Sequence, residues 1–188
     1  MKNIVGNFTF SGTYTYESPQ LATVQSGLDS NLNGDSAGDR ATVNINGRPN
    51  TGSDVNPIDR GGRIVAAGSP EIVAYVAQNP NAQYIVAGLG ALTNAGRMTI
   101  ATRPINNFDL GMKKVFSIRE GTRLEFAAQF FNAFNHPQFV PGYINNVQFH
   151  ESRNTNNNLI PGNSIFNRHD LAFDSNARAV QLVARFQF

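Results

Sequence analysis

The stretch NFDLGMKKVFSIREGTRLEFAAQFFNAFN, Asn107 to Asn135, decides the fold class. In its first half Phe108, Leu110 and Met112 alternate with Asn107, Asp109, Gly111 and Lys113. In its second half Leu124, Phe126, Ala128 and Phe130 alternate with Arg123, Glu125, Ala127 and Gln129. A period of two belongs to strands, because successive side chains of an extended chain point to opposite faces. Between the halves, Arg119-Glu120-Gly121 supplies the charge and the permissive glycine of a short reversal, so the two runs pair as an antiparallel hairpin. One face carries Asp109, Lys113, Arg123 and Glu125 and the other is apolar and rich in aromatics. Long strands with one wet and one oily face are the pattern of a barrel wall in a membrane.

Outward from this hairpin, two further segments alternate. Residues 6–18, GNFTFSGTYTYES, read as a strand whose Tyr14 and Tyr16 suit a membrane-interface girdle, with a phase slip at Ser11-Gly12. The segment alone fits a strand of a soluble sheet equally well. Residues 178–188 place Val180, Leu182, Ala184, Phe186 and Phe188 on one face and Gln181, Arg185 and Gln187 on the other. An exposed edge of that composition invites aggregation in water, whereas a closed barrel gives it partners on both sides. The strands are therefore expected near 6–18, 107–118, 122–135 and 178–188, joined by loops over 19–104 and 136–176. With Arg119–Gly121 as a periplasmic turn, both long loops fall outside the cell, where such barrels keep them.

Composition narrows the function. The chain of 188 residues is 40% hydrophobic and 15% charged, has no Cys and carries a net charge of +2 spread along its length. Without Cys there is no disulfide framework, thiolate metal site or cysteine nucleophile. Scattered Lys and Arg do not make a nucleic-acid surface. No window approaches the ~20 apolar residues of a membrane helix. Met1 to Asn7 lacks an apolar core and a small-residue cleavage site, so it does not read as a signal peptide. An outer-membrane product would need that export signal from elsewhere, and the chain is expected to be a piece of a longer one.

Within the first loop, Asp29, Asn31, Asn33 and Asp35 put side-chain oxygens at alternate positions around Gly34, with Asp39 following. Alternate oxygens around a sharp turn can wrap calcium. The twelfth position is Arg40 where a bidentate Glu would be required, and the other reading is a loop of Asx-turns whose side chains cap their own backbone. Residues 69–79, SPEIVAYVAQN, present Ser, Pro and Glu at a helix start and stop before Pro80, which predicts a short helix packed on Tyr84, Ile85 and Val86. Gly88-Leu89-Gly90 lacks the third glycine and the strand-turn-helix setting of a dinucleotide site. His136, His150 and His169, the last two beside Glu151 and Asp170, could be drawn into a metal site. None of them is paired at helical spacing, and solvated loop histidines are the simpler reading. No nucleophile, base and orienting group occur together, so no enzyme is expected.

Several words of the sequence carry a resemblance. Thr23-Val24-Gln25-Ser26-Gly27 with Asp29-Ser30-Asn31 and Gly34-Asp35, Asn94-Ala95-Gly96-Arg97, Asn106-Asn107-Phe108-Asp109-Leu110, Phe130 to Phe139 with its Asn-Ala-Phe-Asn-His-Pro core, and the terminal Arg185-Phe186-Gln187-Phe188 resemble the C-terminal barrel of TonB-dependent outer-membrane receptors, Oar-like type. The resemblance spans nearly the whole chain. It implies a fragment of a receptor of a Gram-negative outer membrane that takes up a large substrate such as an oligosaccharide or peptide. Its partners would be membrane lipid, the remaining barrel and plug, and the barrel assembly machinery, which would read Phe186 and Phe188. No plug or TonB box is visible in the sequence, and about four strands cannot close a barrel that needs at least ~8. The competing reading is a soluble or secreted β-rich module for adhesion, with calcium held at Asp29, Asn31, Asn33, Asp35 and Asp39. The fold class expected on the first reading is all-β: antiparallel strands of a partial transmembrane barrel with two long extracellular loops, one containing a short helix.

Overall fold

The computed structural model describes residues 6–36, 38–139 and 158–188. They form an all-β chain that divides into two compact units, one of residues 1–18, 104–140 and 175–188 and the other of residues 19–103 and 141–174.

The first unit is a four-stranded antiparallel sheet made of β1 (Phe8–Glu17), β9 (Ile105–Arg119), β10 (Thr122–Phe131) and β11 (Ala179–Gln187) in the order β1-β9-β10-β11. The alternating runs of the sequence are these strands. The third ends four residues earlier than expected, because Asn132 takes a positive φ of 49° and turns the chain. The reversal between β9 and β10 pairs Thr122 with Arg119 around Glu120 and Gly121. Gly121 has φ +80°, which only glycine adopts without cost. A register shift follows between Thr122 and Arg123, and from there the ladder is regular. Register fixes the faces. Tyr14 lies opposite Phe108, Phe10 opposite Met112, Ala128 opposite Met112, and Leu182 opposite Ala128, so one apolar face runs across all four strands, interrupted on β9 by Lys114 between Phe8 and Phe126. The connections 18–104 and 132–178 both leave the end of the sheet remote from the 119–122 turn.

The second unit corrects the expectation of an extended loop over 19–104. Seven short strands lie in it: β2 (Leu21–Ala22) with β8 (Ile100–Ala101), β3 (Thr42–Val43) and β4 (Arg48–Ser53) on either side of β7 (Ala82–Ile85), and β5 (Val55–Ile58) with β6 (Ala74–Ala77). The helix expected over 69–79 does not form. Ser69 instead accepts the amide of Glu71 in a turn, and Ala74–Ala77 pairs antiparallel with Val55–Ile58. Cross-strand pairing with residues about twenty positions earlier outweighs a local helix-start signal. Tyr84 and Ile85, expected to support that helix, belong to β7. The core gathers Val24, Ala41, Ala82, Tyr84 and Val86 with Leu159, Phe166 and Phe173, and the Tyr84 and Phe166 rings meet edge to face at 5.9 Å. Much of the described part of the expected loop 136–176 is therefore core as well, and it carries the single turn of helix α1 (His169–Ala172).

Candidate functional site

The apolar face of the four-stranded sheet is the feature with the clearest chemical meaning. Along β9 exposure alternates in the opposite sense from a soluble sheet. Phe108, Leu110 and Met112 are 37%, 42% and 40% exposed, while Asn107, Asp109, Gly111 and Lys113 between them are half-buried. Phe10, Phe126, Val180 and Leu182 extend the exposed apolar surface, Leu182 to 77%. Soluble proteins rarely leave so continuous an apolar patch in water.

Aromatic rings mark both ends of this face. At the loop end Tyr14 and Phe108 stand 4.5 Å apart and Phe134 meets Phe108 edge-on at 5.2 Å. At the turn end Phe8 stacks on Phe10, Phe116 meets Phe126, and Phe186 packs on Phe188. Between them lie Leu110, Met112, Ala128, Leu182 and Ala184. From Phe108 to Phe116 the strand rises ~26 Å at ~3.3 Å per residue, or ~20 Å along the normal at a ~40° tilt, close to the ~25 Å apolar band flanked by aromatic girdles in membrane barrels. Lys114 breaks the apolar pattern. It is buried, its ammonium lies 4.0 Å from the centre of the Phe8 ring, and it donates to the Gly6 carbonyl at the turn end. Aromatic and carbonyl partners toward the interface are how a cation is tolerated on a lipid-facing surface.

The opposite face is polar and internally paired. Glu125 receives Lys113 at 3.7 Å from β9 and Arg185 at 4.0 Å from β11. At the loop end, Asp109 accepts the Asn132 amide. The buried Asn132 side chain donates to the carbonyls of His136 and Asn176 and accepts the His136 amide. Gln138, also buried, both donates to and accepts from the backbone of Asn106. The Asn-Ala-Phe-Asn-His-Pro word is thus a clamp that ties the ends of β9, β10 and β11 together.

Phe186 and Phe188 stand at the exposed end of β11, Phe188 being 97% exposed. Of the five oxygen-bearing residues of the Asp29 to Asp39 loop, four accept hydrogen bonds from within the loop, and Asp35 donates its backbone amide to Asn33. Asp29 accepts the amides of Asn33 and Gly34, and Asp39, buried, accepts those of Ser30 and Asn31 together with the Asn31 side-chain amide. Asn31 and Asn33 accept the amides two residues on. These are the bonds of Asx-turns. Among the described residues no three His, Asp or Glu side chains gather closely enough to hold a metal ion. His136 belongs to the Gln138 clamp, and His169 is buried against Phe173. His150 and Glu151 lie outside the described residues. Burial pushes the His169 imidazole below its ordinary value, helped by Arg103 and opposed by Asp170. The Arg168 guanidinium, bonded to Asp170 at 2.7 and 2.9 Å, pulls that carboxyl down to about 2. Gly88 of the Gly-x-Gly sits under the Tyr75 ring, where a Cβ would lie 2.3 Å from ring carbon; close packing accounts for that glycine.

No curated protein and no solved structure matches the chain. A family model does: the outer membrane beta barrel domain matches residues 1–169. With the inverted exposure of the sheet and its aromatic bands, that match over most of the sequence carries the conclusion that the chain belongs to the outer membrane beta barrel domain family, which points to the bacterial outer membrane.

Proposed function

We propose that the chain forms the C-terminal part of the barrel of a TonB-dependent receptor, Oar-like in type, that takes up a large substrate such as an oligosaccharide or peptide. The observation that carries this reading is the sheet that exposes Phe108, Leu110 and Met112 while half-burying the polar residues between them. Each outer strand, β1 and β11, has a single neighbour among the described residues. Hydrocarbon does not tolerate an open edge, because backbone groups there have no water to bond. The missing neighbours come, on this reading, from the rest of the receptor, along with the plug and the coupling to energy. The second unit forms the receptor's outer surface. It holds a groove of about 710 Å³ lined by Tyr75, Ile72, Val86 and Leu89 without a charged side chain, in the size range of ligand sites.

The full-length product tests both levels. A barrel migrates faster in unheated than in heated denaturing gels and leaves the membrane only with detergent; a product soluble without detergent and indifferent to heating overturns the barrel. Uptake by cells carrying it should collapse when a protonophore dissipates the proton gradient. Heat-modifiable migration with protonophore-insensitive uptake removes the receptor and leaves the barrel.

A further inference from the structure

The polar face of the sheet has an uneven charge distribution. Toward the loop end it carries Glu17 and Asp109. Toward the turn end, strand alternation and register bring Lys113, Arg123 and Arg185 around one carboxylate, Glu125. Glu125 stands opposite Arg185, diagonal to Lys113, and two residues from Arg123 on the same face of β10. Its two ion pairs are long, 3.7 and 4.0 Å, and its side chain is 21% exposed against 44% for Lys113 and 61% for Arg185. Two cations thus share one anion, and Arg123 stands on the same face of β10 without an ion pair among the described residues. Beside them the wall is hollowed to about 340 Å³ by small residues, Ser11, Gly111 and Ala127, flanked by Lys113, Glu125 and Arg185. The absence of a side chain at Gly111 contributes to that shape, since a Cβ there would lie 2.5 Å from the Ser11 hydroxyl and would displace it.

Resting on the barrel reading, in which this face lines the lumen, we infer that this hollow is a binding site for an oxyanion, the carboxylate or phosphate group of a solute within the barrel. Lys113 of β9 and Arg185 of β11 both line the one concavity, so one group with several acceptor oxygens can be held by the two together. Glu125 is the built-in competitor that holds the cations in place when no anion is bound, and its incomplete contacts leave their donors available.

The test uses the full-length protein in detergent, with the temperature of its heat-modifiable shift read against inorganic phosphate or citrate at constant ionic strength, chloride being the reference. Both oxyanions should raise the transition beyond chloride, citrate alone if only carboxylates are accepted and phosphate alone if only phosphates are. The substitutions Lys113→Gln and Arg185→Gln together should abolish the response. Glu125→Gln should lower the concentration for half-effect several-fold, since it removes the competing carboxylate; a purely structural ion pair would lower stability without sharpening the response. A response equal to chloride, or a Glu125→Gln protein no more sensitive than the parent, overturns the site while the heat-modifiable shift itself persists. Absence of that shift in the parent protein overturns the barrel and the site together.

Discussion

Asn132 shows how the distinctive words of this sequence act. Its positive φ, its buried side chain and its three side-chain bonds to backbone serve to stop β10 and fasten the chain that follows. Replacing Asn132 with Ala strands those backbone partners, and losing buried bonds of this kind costs ~1–3 kcal/mol. The heat-modifiable transition of the full-length barrel should move to lower temperature, and an unchanged transition would contradict the clamp. The Thr23 to Gly27 and Asn94 to Arg97 words act similarly in the second unit. Ser26 and Ser30 both donate to the Ala87 carbonyl, and Arg40 donates to that of Ala95. Their specificity in sequence reflects backbone carpentry. His169 offers a titration. Its folded value lies below the ordinary 6.5, so the native state binds fewer protons than the unfolded chain, and stability falls as pH drops below about 6.5. Asp170 has the usual carboxylate sign: held down to about 2 from 3.8, its contribution is complete above about 4 and lost from there toward pH 2. Thermal unfolding of the second unit should therefore weaken in two separate windows, and His169→Phe should remove the upper one alone.

At the scale of elements, the faces of β10 and β11 differ by environment, so one substitution has two outcomes. Leu182 lies mid-band on the apolar face, whereas the neighbouring Gln181 lies on the polar one. Leu182→Arg places a charge in hydrocarbon at a cost of ~2–4 kcal/mol near the bilayer midplane, while Gln181→Arg should fold almost as well as the parent. Refolding into lipid vesicles, followed by the fraction with retarded migration after heating, separates the two; equal yields would mean that the apolar face does not meet lipid. The long strands were legible because nine or more residues keep one period, and each phase error would turn the whole set to the wrong side. The strands of the second unit were not. They are two to six residues long, too short for a period, and their partners stand far off in sequence: Arg48–Ser53 lies parallel to Ala82–Ile85. The segment at 69–79 misled for the same reason, since its Ser-Pro-Glu start is equally the start of a turn and its apolar residues were claimed by β5. Lys114 falls on the apolar face two residues past Met112, where a single cation does not disturb the period of the strand. Of the candidate site, the two faces could be seen in the sequence, while the cations around Glu125 needed the register of three strands.

For the whole molecule, the two units should answer differently to the cell's surroundings. Both long connections leave one end of the sheet, and the other end closes in the two-residue reversal at Glu120 and Gly121. Barrels of this class keep short turns in the periplasm and long connections outside, so on the proposed receptor reading residues 19–103 are expected outside the cell and the long strands in the membrane. Backbone in the hydrocarbon is inaccessible to protease, whereas exposed bends such as Asp59 to Gly62 and Ala66 to Ser69 present the kind of loop tip that proteases cut. Intact cells treated with a protease should lose fragments cut within the second unit while peptides from 105–131 and 179–187 stay with the membrane. Cleavage of the second unit only after the outer membrane is opened would reverse the orientation. Cutting of β9 or β10 in intact cells would show those strands to be in water, and would leave the exposed row of Phe108, Leu110 and Met112 without the lipid that accounts for it.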